Sequence, residues 1–545
     1  MFWRNFKLLP TTAVKWMQPN VRLFLTTRQP TIWLLAIIIG VCVSAAAIVF
    51  RVGIGAVQWV WLGTMSEQVA EATAAAPWYV IVLTPAAGGL LVGLYLEHVH
   101  PGRRAGGVAD VIEARANGGR GLKFWPGLSS AAVTVFSLGV GGSAGREGPV
   151  VHLGATLGAA ICQAFRLPDS ARRVMLACGV ASAVSASFNA PIAGALFAHE
   201  VILGHYALSA FVPIVISSVL GTMLSRIWFG GAAAFSIPDY QITSYWELPA
   251  FALLGLTCAL VAVLFQFALI GTDWVERNMP VRFWMRPMAG GFAVGIIGLA
   301  FPQILGVGYQ ATDMALKTEL PLALLISLLV AKTAATAITL ASRFGGGIFS
   351  PTLYIGAMTG GAFGIIAARA FPELASSEGL YAILGMGAVA AATLGAPIST
   401  AMIVFELTGG YALSIALLIT VSIATGITQA IHGRSYFHWQ LEMRGIVLQE
   451  GAHKWLVKRV HVSDFMERLK EDEEVPEFKP EEGEAYLRPA DTLETALRAF
   501  DASGRSSLYV VDRRDPSKII GRAWHIRALR YFNSALIEAN VEEHR

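Results

Sequence analysis

One apolar pattern occurs twice in this chain, about 200 residues apart. "GREGPVVHLGA" runs from Gly145 to Ala155 and "GIFSPTLYIGA" from Gly347 to Ala357. Both read G-x-x-x-P, then three residues, then an apolar-Gly-Ala step. A second pair follows in the same order: "NAPIAGALFAHE" places Glu200 nine residues after Pro191, and "GAPISTAMIVFE" places Glu406 nine residues after Pro397. Matched segments in matched order mark a chain built from two related halves. In a hydrophobic chain that is the architecture of transporters and channels, whose ion sites lie where the halves meet.

Hydrophobic residues make up 55% of the 545 and charged residues 14%, against roughly 25% charged in a typical soluble protein. Residues 32–50, 248–270 and 411–430 are apolar stretches long enough to cross a ~30 Å hydrocarbon core. The expected fold is all-α and polytopic. Pro149, Pro191, Pro351 and Pro397 lie within or beside apolar segments. Broken helices at membrane depth need protein or water to satisfy their backbone groups, which points to a substrate pathway rather than an anchor. Many of the other glycines read as close helix packing.

The first 30 residues carry Arg4, Lys7, Lys15, Arg22 and Arg28 and no acid. With Pro10 and Pro19 inside it, this stretch is not the short basic start of a removable signal. By the positive-inside rule it is cytoplasmic. The net charge of +4 is then a statement about topology, and with no basic patch interleaved with aromatics, nucleic-acid binding is not expected. Cys42, Cys162, Cys178 and Cys258 sit in apolar runs without CxxC spacing. They read as buried small hydrophobes, with no metal or disulfide.

Four regions follow from composition: a basic lead (1–30) with a membrane-surface helix, two membrane halves (31–240 and 245–432, the membrane region ending near 445), and a charged, soluble tail (446–545). In the tail "TLETALRAF" reads as a helix with Asp491 as N-cap. "SSLYVVD" and "KIIGRA" read as strands, and "HIRALRYF" as a second helix.

The chemistry concentrates in the two repeated loops. Glycines followed by Pro149 and an apolar run read as a loop entering a helix, where proline removes no internal bond. The first amides of that helix are unpaired and its dipole makes that end positive. Glycines let bare backbone approach an ion, so such a start can hold a dehydrated anion. Glu147 sits in this loop. A carboxylate at membrane depth costs roughly 2.5–3.5 kcal/mol on insertion scales and is functional by default. It is expected to occupy the anion site when charged and leave when protonated, a pH-sensitive gate; the bland alternative is a partner for Arg146 or a cap. The second loop supplies the amides of Ile348 and Phe349 and no acid. Two helix starts from oppositely oriented halves would then build one central anion site from Gly145, Arg146, Gly148, Gly347, Ile348 and Phe349.

These segments resemble the CLC family of chloride channels and chloride/proton antiporters. "GREGP" is similar to that family's gating-glutamate motif, "GIFSP" to its G-x-F-x-P motif, and "FNAPIAGALFAHE" to the segment after the gate. The resemblance covers roughly residues 30–445. It implies a homodimer in a bilayer, neither an enzyme nor a cofactor protein, with one anion pathway per subunit, chloride as the ion carried, protons as a further partner, and an inverted-repeat helical fold. It also places the protein in the bacterial inner membrane with both termini cytoplasmic. The tail resembles a single cystathionine-β-synthase (CBS) module, which normally pairs with another copy. That module's nucleotide-binding pattern, G-x-x-T-x-x-D, meets Gly521, Trp524 and Arg527 here, so a structural or dimerising role is expected.

Three departures bear on mechanism. The family's G-S-G-I-P motif aligns best with "AGGVA", placing Gly106 at the serine and Ala109 at the proline, with the amides of Gly107 and Val108 left to meet the anion. The register is open by one or two residues. The family's central tyrosine aligns with Phe437; a shift of one residue puts Tyr436 there. The family's inner proton-loading glutamate aligns with Val201, beside Glu200. Valine relays no proton, so passive conduction is expected, with proton-coupled exchange as the alternative and His199 or Glu200 as relays. Glu200 and its repeat partner Glu406 read better as a structural pair holding loop amides or helix ends. "GGSAG" contains a hydrolase-like G-x-S-x-G, but in membrane helix rather than after a strand. "HEVIL" lacks the second histidine of a zinc protease. His152, inside the expected pore helix, reads as a core histidine.

Overall fold

The computed structural model describes residues 29–231, 242–373, 375–408, 413–446, 460–469, 485–512 and 518–544, together with residues 17–18, 235, 240 and 515. Apart from Met17 and Gln18, the surface helix expected in the basic lead lies outside the described residues. The chain forms two compact units, Met1–Arg444 and Gly445–Arg545.

The first unit is helical. In chain order its helices are α1 (Gln29–Leu62), α2 (Val69–Ala74), α3 (Trp78–His98), α4 (Val108–Ala116), α5 (Phe124–Gly139), α6 (Glu147–Ala164), α7 (Asp169–Phe188), α8 (Pro191–Phe197), α9 (Leu208–Phe229), α10 (Leu248–Asn278), α11 (Arg286–Ala300), α12 (Tyr309–Leu316), α13 (Leu322–Ala341), α14 (Phe349–Ala370), α15 (Glu378–Leu394), α16 (Pro397–Thr408), α17 (Ser414–His432) and α18 (Tyr436–Glu442). Among the described residues eight helices are long and apolar enough to cross a membrane. The others are shorter or, like α6 and α7, less apolar, as a chain with interrupted helices requires.

The two halves keep step: α4 to α9 recur in order as α12 to α17. Equivalent helices also end alike. Asn189 after α7 and Gly395 after α15 are both left-handed, with φ of 60° and 67°. Each is followed by Ala-Pro, and the proline opens the next helix. Asparagine and glycine are the residues that tolerate this conformation, and proline suits a first helical position. Packing repeats as well. A Cβ on Gly154 would stand 2.4 Å from the Gly179 carbonyl between α6 and α7, and one on Gly356 2.3 Å from the Gly385 carbonyl between α14 and α15. Bare backbones make these helix crossings close.

The repeated glutamates exchange places across the halves. Glu200 lies on a π-helical turn, Ala198–Leu203. Its Oε1 and Oε2 accept from the amides of Ile398 and Ser399 at 3.0 and 2.7 Å. Glu406 accepts from Ile192 and Ala193 at 3.1 and 2.7 Å. Each carboxylate thus covers the unpaired amides at the start of the other half's short helix, α16 or α8. Of the cysteines, Cys162, Cys178 and Cys258 are buried; Cys42 is exposed, contrary to expectation, because it stands on an outward face of α1.

The second unit holds a four-stranded sheet of order β1-β4-β3-β2, from β1 (Glu467–Arg468), β2 (Tyr486–Leu487), β3 (Ser507–Val511) and β4 (Ile519–Trp524). The β2–β3 pair is parallel and the other two are antiparallel. Helices α19 (Leu493–Ser503) and α20 (His525–His544) accompany it. Leu487, Leu493, Phe500, Leu508, Val510 and Ala523 form its core. The N-cap of α19 is Thr492, whose hydroxyl accepts from the Thr495 amide at 3.3 Å. Asp491, expected there, instead accepts from the Arg488 amide at 2.6 Å. Trp524 and Arg527 both bind the Glu467 carboxylate, at 2.7 and 2.5 Å.

Candidate functional site

The two repeated loops meet. Gly145 N donates to Gly347 O and Gly347 N to Gly145 O, both at 2.7 Å, as an antiparallel bridge. Antiparallel pairing brings the loops together in opposite chain directions, as inverted halves require. A side chain on either glycine would crowd the joint. A Cβ on Gly145 would stand 3.0 Å from Ser350 N, and one on Gly347 3.2 Å from Gly148 N. The starts of α6 and α14 therefore converge, and with them their unpaired amides and positive dipole ends.

One cavity opens at this joint. It is lined by Gly106, Gly107, Val108, Gly148, Gly347, Ile348, Phe349, Tyr436 and Phe437, which come from both loops, the start of α4 and the start of α18. Ala109, also expected at the anion site, is buried beside this lining without forming it. The Gly106 amide donates to Ser130 Oγ at 2.6 Å and the Gly107 amide to Asp110 Oδ2 at 2.8 Å. That leaves Val108 and Ala109 as the amides of α4 with no partner inside the helix. The Tyr436 hydroxyl accepts from Gln440 Nε2 at 3.1 Å.

Arg104, Arg277, Arg343 and Arg444 line the same cavity with Asp110 and Asp273, so cations outnumber acids. Asp110 is paired with Arg104 and, at 2.9 Å, with Arg444. Burial pushes its carboxyl up, but the two guanidinium groups outweigh this and hold it well below the usual carboxylate range.

A second cavity is lined by Arg51, Gln58, Glu67, Arg146, Gly308 and Tyr309 among others. The residue before Glu147 thus lines one cavity and the residue after it the other. Glu147, the first residue of α6, is itself 1% exposed. Its Oε1 accepts from Tyr309 Oη at 2.6 Å and its Oε2 from Ser350 Oγ at 2.5 Å. Arg146 Nε lies 3.6 Å from Oε1. Arg146 is held in turn by Glu67 at 2.5 Å and lies over the Tyr309 ring at 4.9 Å. Arg51 binds the same Glu67 oxygen at 2.8 Å. Burial raises the Glu67 carboxyl, but Arg146 and Arg51 outweigh it and hold it low.

Sequence reasoning missed three contributors. Ser350 is a variable position of the G-x-F-x-P loop. Tyr309 begins α12, the repeat partner of α4. Lys332 on α13 is wholly buried, and its Nζ donates to the carbonyls of Ile304 and Gly306 at 3.0 and 2.9 Å, in the turn that leads to Tyr309. A lysine inside an apolar helix was the available signal for the last. The structure also accounts for Gly106. A Cβ there would stand 2.4 Å from His152 Nε2, so the imidazole fills the space a serine side chain would take.

Glu200 and Val201 are not part of this constellation. Both carboxylate oxygens of Glu200 are engaged at α16, and Val201 is half-buried on the π-helical turn. His199 is buried, with Nδ1 3.0 Å from the His205 carbonyl.

Residues 88–429 match the sequence profile of the voltage gated chloride channel family. The chain belongs to this CLC family. It is 32% identical over 386 residues to a protein of Ralstonia nicotianae named a ClcB-like chloride channel protein, covering 70% of this chain and 90% of that one. It is 31% identical over 420 residues to a protein of Cronobacter sakazakii named the H(+)/Cl(-) exchange transporter ClcA, covering 75% and 88%. The crystal structure of a slow cyanobacterial Cl-/H+ antiporter shares the fold, with a TM-score of 0.69 at 24% identity over 76% of this chain and 97% of that one. The CLC fold, an inverted repeat of two helical halves with broken helices, is thus common to this chain and its relatives, with a small α/β module added after Arg444.

Proposed function

We propose that this CLC protein carries chloride across the membrane in exchange for protons, with Glu147 as the moving group. The observation that carries this reading is one buried carboxylate at the joint of two helix starts, with a cavity on either side. While charged, Glu147 holds the joint closed. Protonation removes its charge and its attraction to Arg146, the side chain leaves, and an anion takes the electropositive position among Gly148, Gly347, Ile348 and Phe349. Because the charged carboxylate and the anion compete for one place, entry of the anion is tied to protonation of Glu147. The Cronobacter relative's name supports exchange over the passive conduction expected from Val201. Each subunit of a homodimer holds its own route.

Passive conduction is the second reading, and Val201 favours it: the inner position is apolar and its neighbour Glu200 is committed to helix amides. The two readings part in one measurement on purified protein in liposomes. Under opposed chloride and pH gradients, an exchanger's reversal potential moves with the pH gradient, whereas a channel's stays at the chloride equilibrium potential. Glu147→Gln is expected to abolish both proton movement and the acid response of chloride flux. Flux unaltered by that substitution at every pH would remove Glu147 from the mechanism.

A further inference from the structure

The acid at the joint comes from the first half of the chain, and both hydroxyls that hold it come from the second. Tyr309 Oη takes one carboxylate oxygen and Ser350 Oγ the other, and the two hydroxyls are 3.5 Å apart. We propose that Tyr309 and Ser350 form a latch that retains charged Glu147 in the closed position and sets how acidic the medium must be before it releases. This rests on the reading of Glu147 as the gate.

The chemistry favours one charge state. An ionised carboxylate only accepts hydrogen bonds, and here each oxygen receives one from a hydroxyl. Bonds of this charge-assisted kind are about twice as strong as neutral ones. Protonation turns one oxygen into a donor facing a group that is already donating, so that bond must be broken or reversed. The latch therefore opposes protonation and release together.

The tyrosine end of the latch is fixed. The turn before Tyr309 is anchored by Lys332 at the carbonyls of Ile304 and Gly306, and by Ser143 Oγ at the Ile304 carbonyl at 2.7 Å. Gly308, just before Tyr309, has a φ of +94°, and a Cβ there would stand 2.7 Å from the Tyr354 ring. The hydroxyl thus remains in place when the carboxylate departs. The charged groups facing Glu147 are Arg146 directly, with Glu67 and Arg51 behind it. Tyr309→Phe leaves all three unchanged and removes one hydroxyl.

The test is chloride efflux from liposomes holding the full chain, recorded against pH. In Tyr309→Phe, half-maximal acid activation is expected to move towards neutrality by about one pH unit, roughly tenfold in proton concentration, with higher flux at neutral pH. Ser350→Ala is expected to act in the same direction, and Ser350→Thr, which keeps the hydroxyl, to retain the original midpoint. In a Glu147→Ala background none of these changes should alter flux, since no gate is left to hold. Superimposable pH profiles for Tyr309→Phe, Ser350→Ala and the unaltered protein would overturn the latch alone. So would an effect of Tyr309→Phe that persists undiminished in Glu147→Ala, because the hydroxyl would then be serving the packing. A Glu147→Ala protein with the original flux and pH profile would overturn the gate reading, and the latch with it.

Discussion

Asp110 shows how a single charge ties the inner cavity together. Its carboxylate binds the Gly107 amide, Arg104 and Arg444 at once, joining the starts of α4 and the end of the first unit. Because the folded carboxyl is held below its ordinary value, its contribution to stability is fully present above the unfolded carboxyl's pKa of about 4. It is lost as the pH falls through the folded value. Asp110→Asn is therefore expected to lower stability near neutral pH by about 1–3 kcal/mol, with the gap narrowing in acid. Thermal unfolding in detergent at stepped pH checks this, and equal midpoints near neutrality would contradict it. Gly106 is a residue-scale matter of another kind: a Cβ there would stand 2.4 Å from His152 Nε2, so the imidazole occupies that side of the backbone.

At the scale of elements, the short helices α8 and α16 depend on borrowed charge. Neither has a side-chain cap from its own preceding residue in the way Ser377 caps α15; a glutamate from the opposite half covers each start. Losing a cap costs about 0.5–2 kcal/mol. Glu200→Ala and Glu406→Ala are expected to destabilise the protein by similar amounts in that range, while the ratio of protons to chloride stays as it was. Thermal stability and the reversal potential measured on the same preparations decide between cap and relay. A Glu200→Ala protein that kept its stability and lost proton movement would make Glu200 a relay.

At the scale of the whole molecule, a backbone bridge registers the two halves to each other at the joint. The Gly145–Gly347 bridge brings the helix starts together, and it closes without crowding because neither residue carries a Cβ. In Gly347→Ala the added atom would press on the Gly148 amide and on Pro149 Cδ at 3.2 and 3.3 Å. Neither group is a flexible side-chain end. Overpacking of this kind costs about 1–3 kcal/mol. The expected outcome is a folded but less stable protein whose chloride flux falls with the joint. Flux equal to that of the unaltered chain would show that the joint tolerates separation. In the tail unit, the residues that depart from the nucleotide pattern are partners of Glu467 rather than open positions.

The repeat, the two glycine-rich helix starts, the buried acid and the α/β tail were legible in the sequence because each is a local pattern: periodicity, turn residues, a charge inside an apolar run. The reciprocal glutamates were legible as a pair through their matched spacing. Which groups touch Glu147 was not. Its two hydroxyl partners lie 162 and 203 residues away, and a hydrogen bond across halves leaves no trace in local spacing. Nor does the imidazole that fills the place beside Gly106. These contacts exist only once the halves fold against each other, because the inversion that joins them sets positions far apart in the chain within bonding distance.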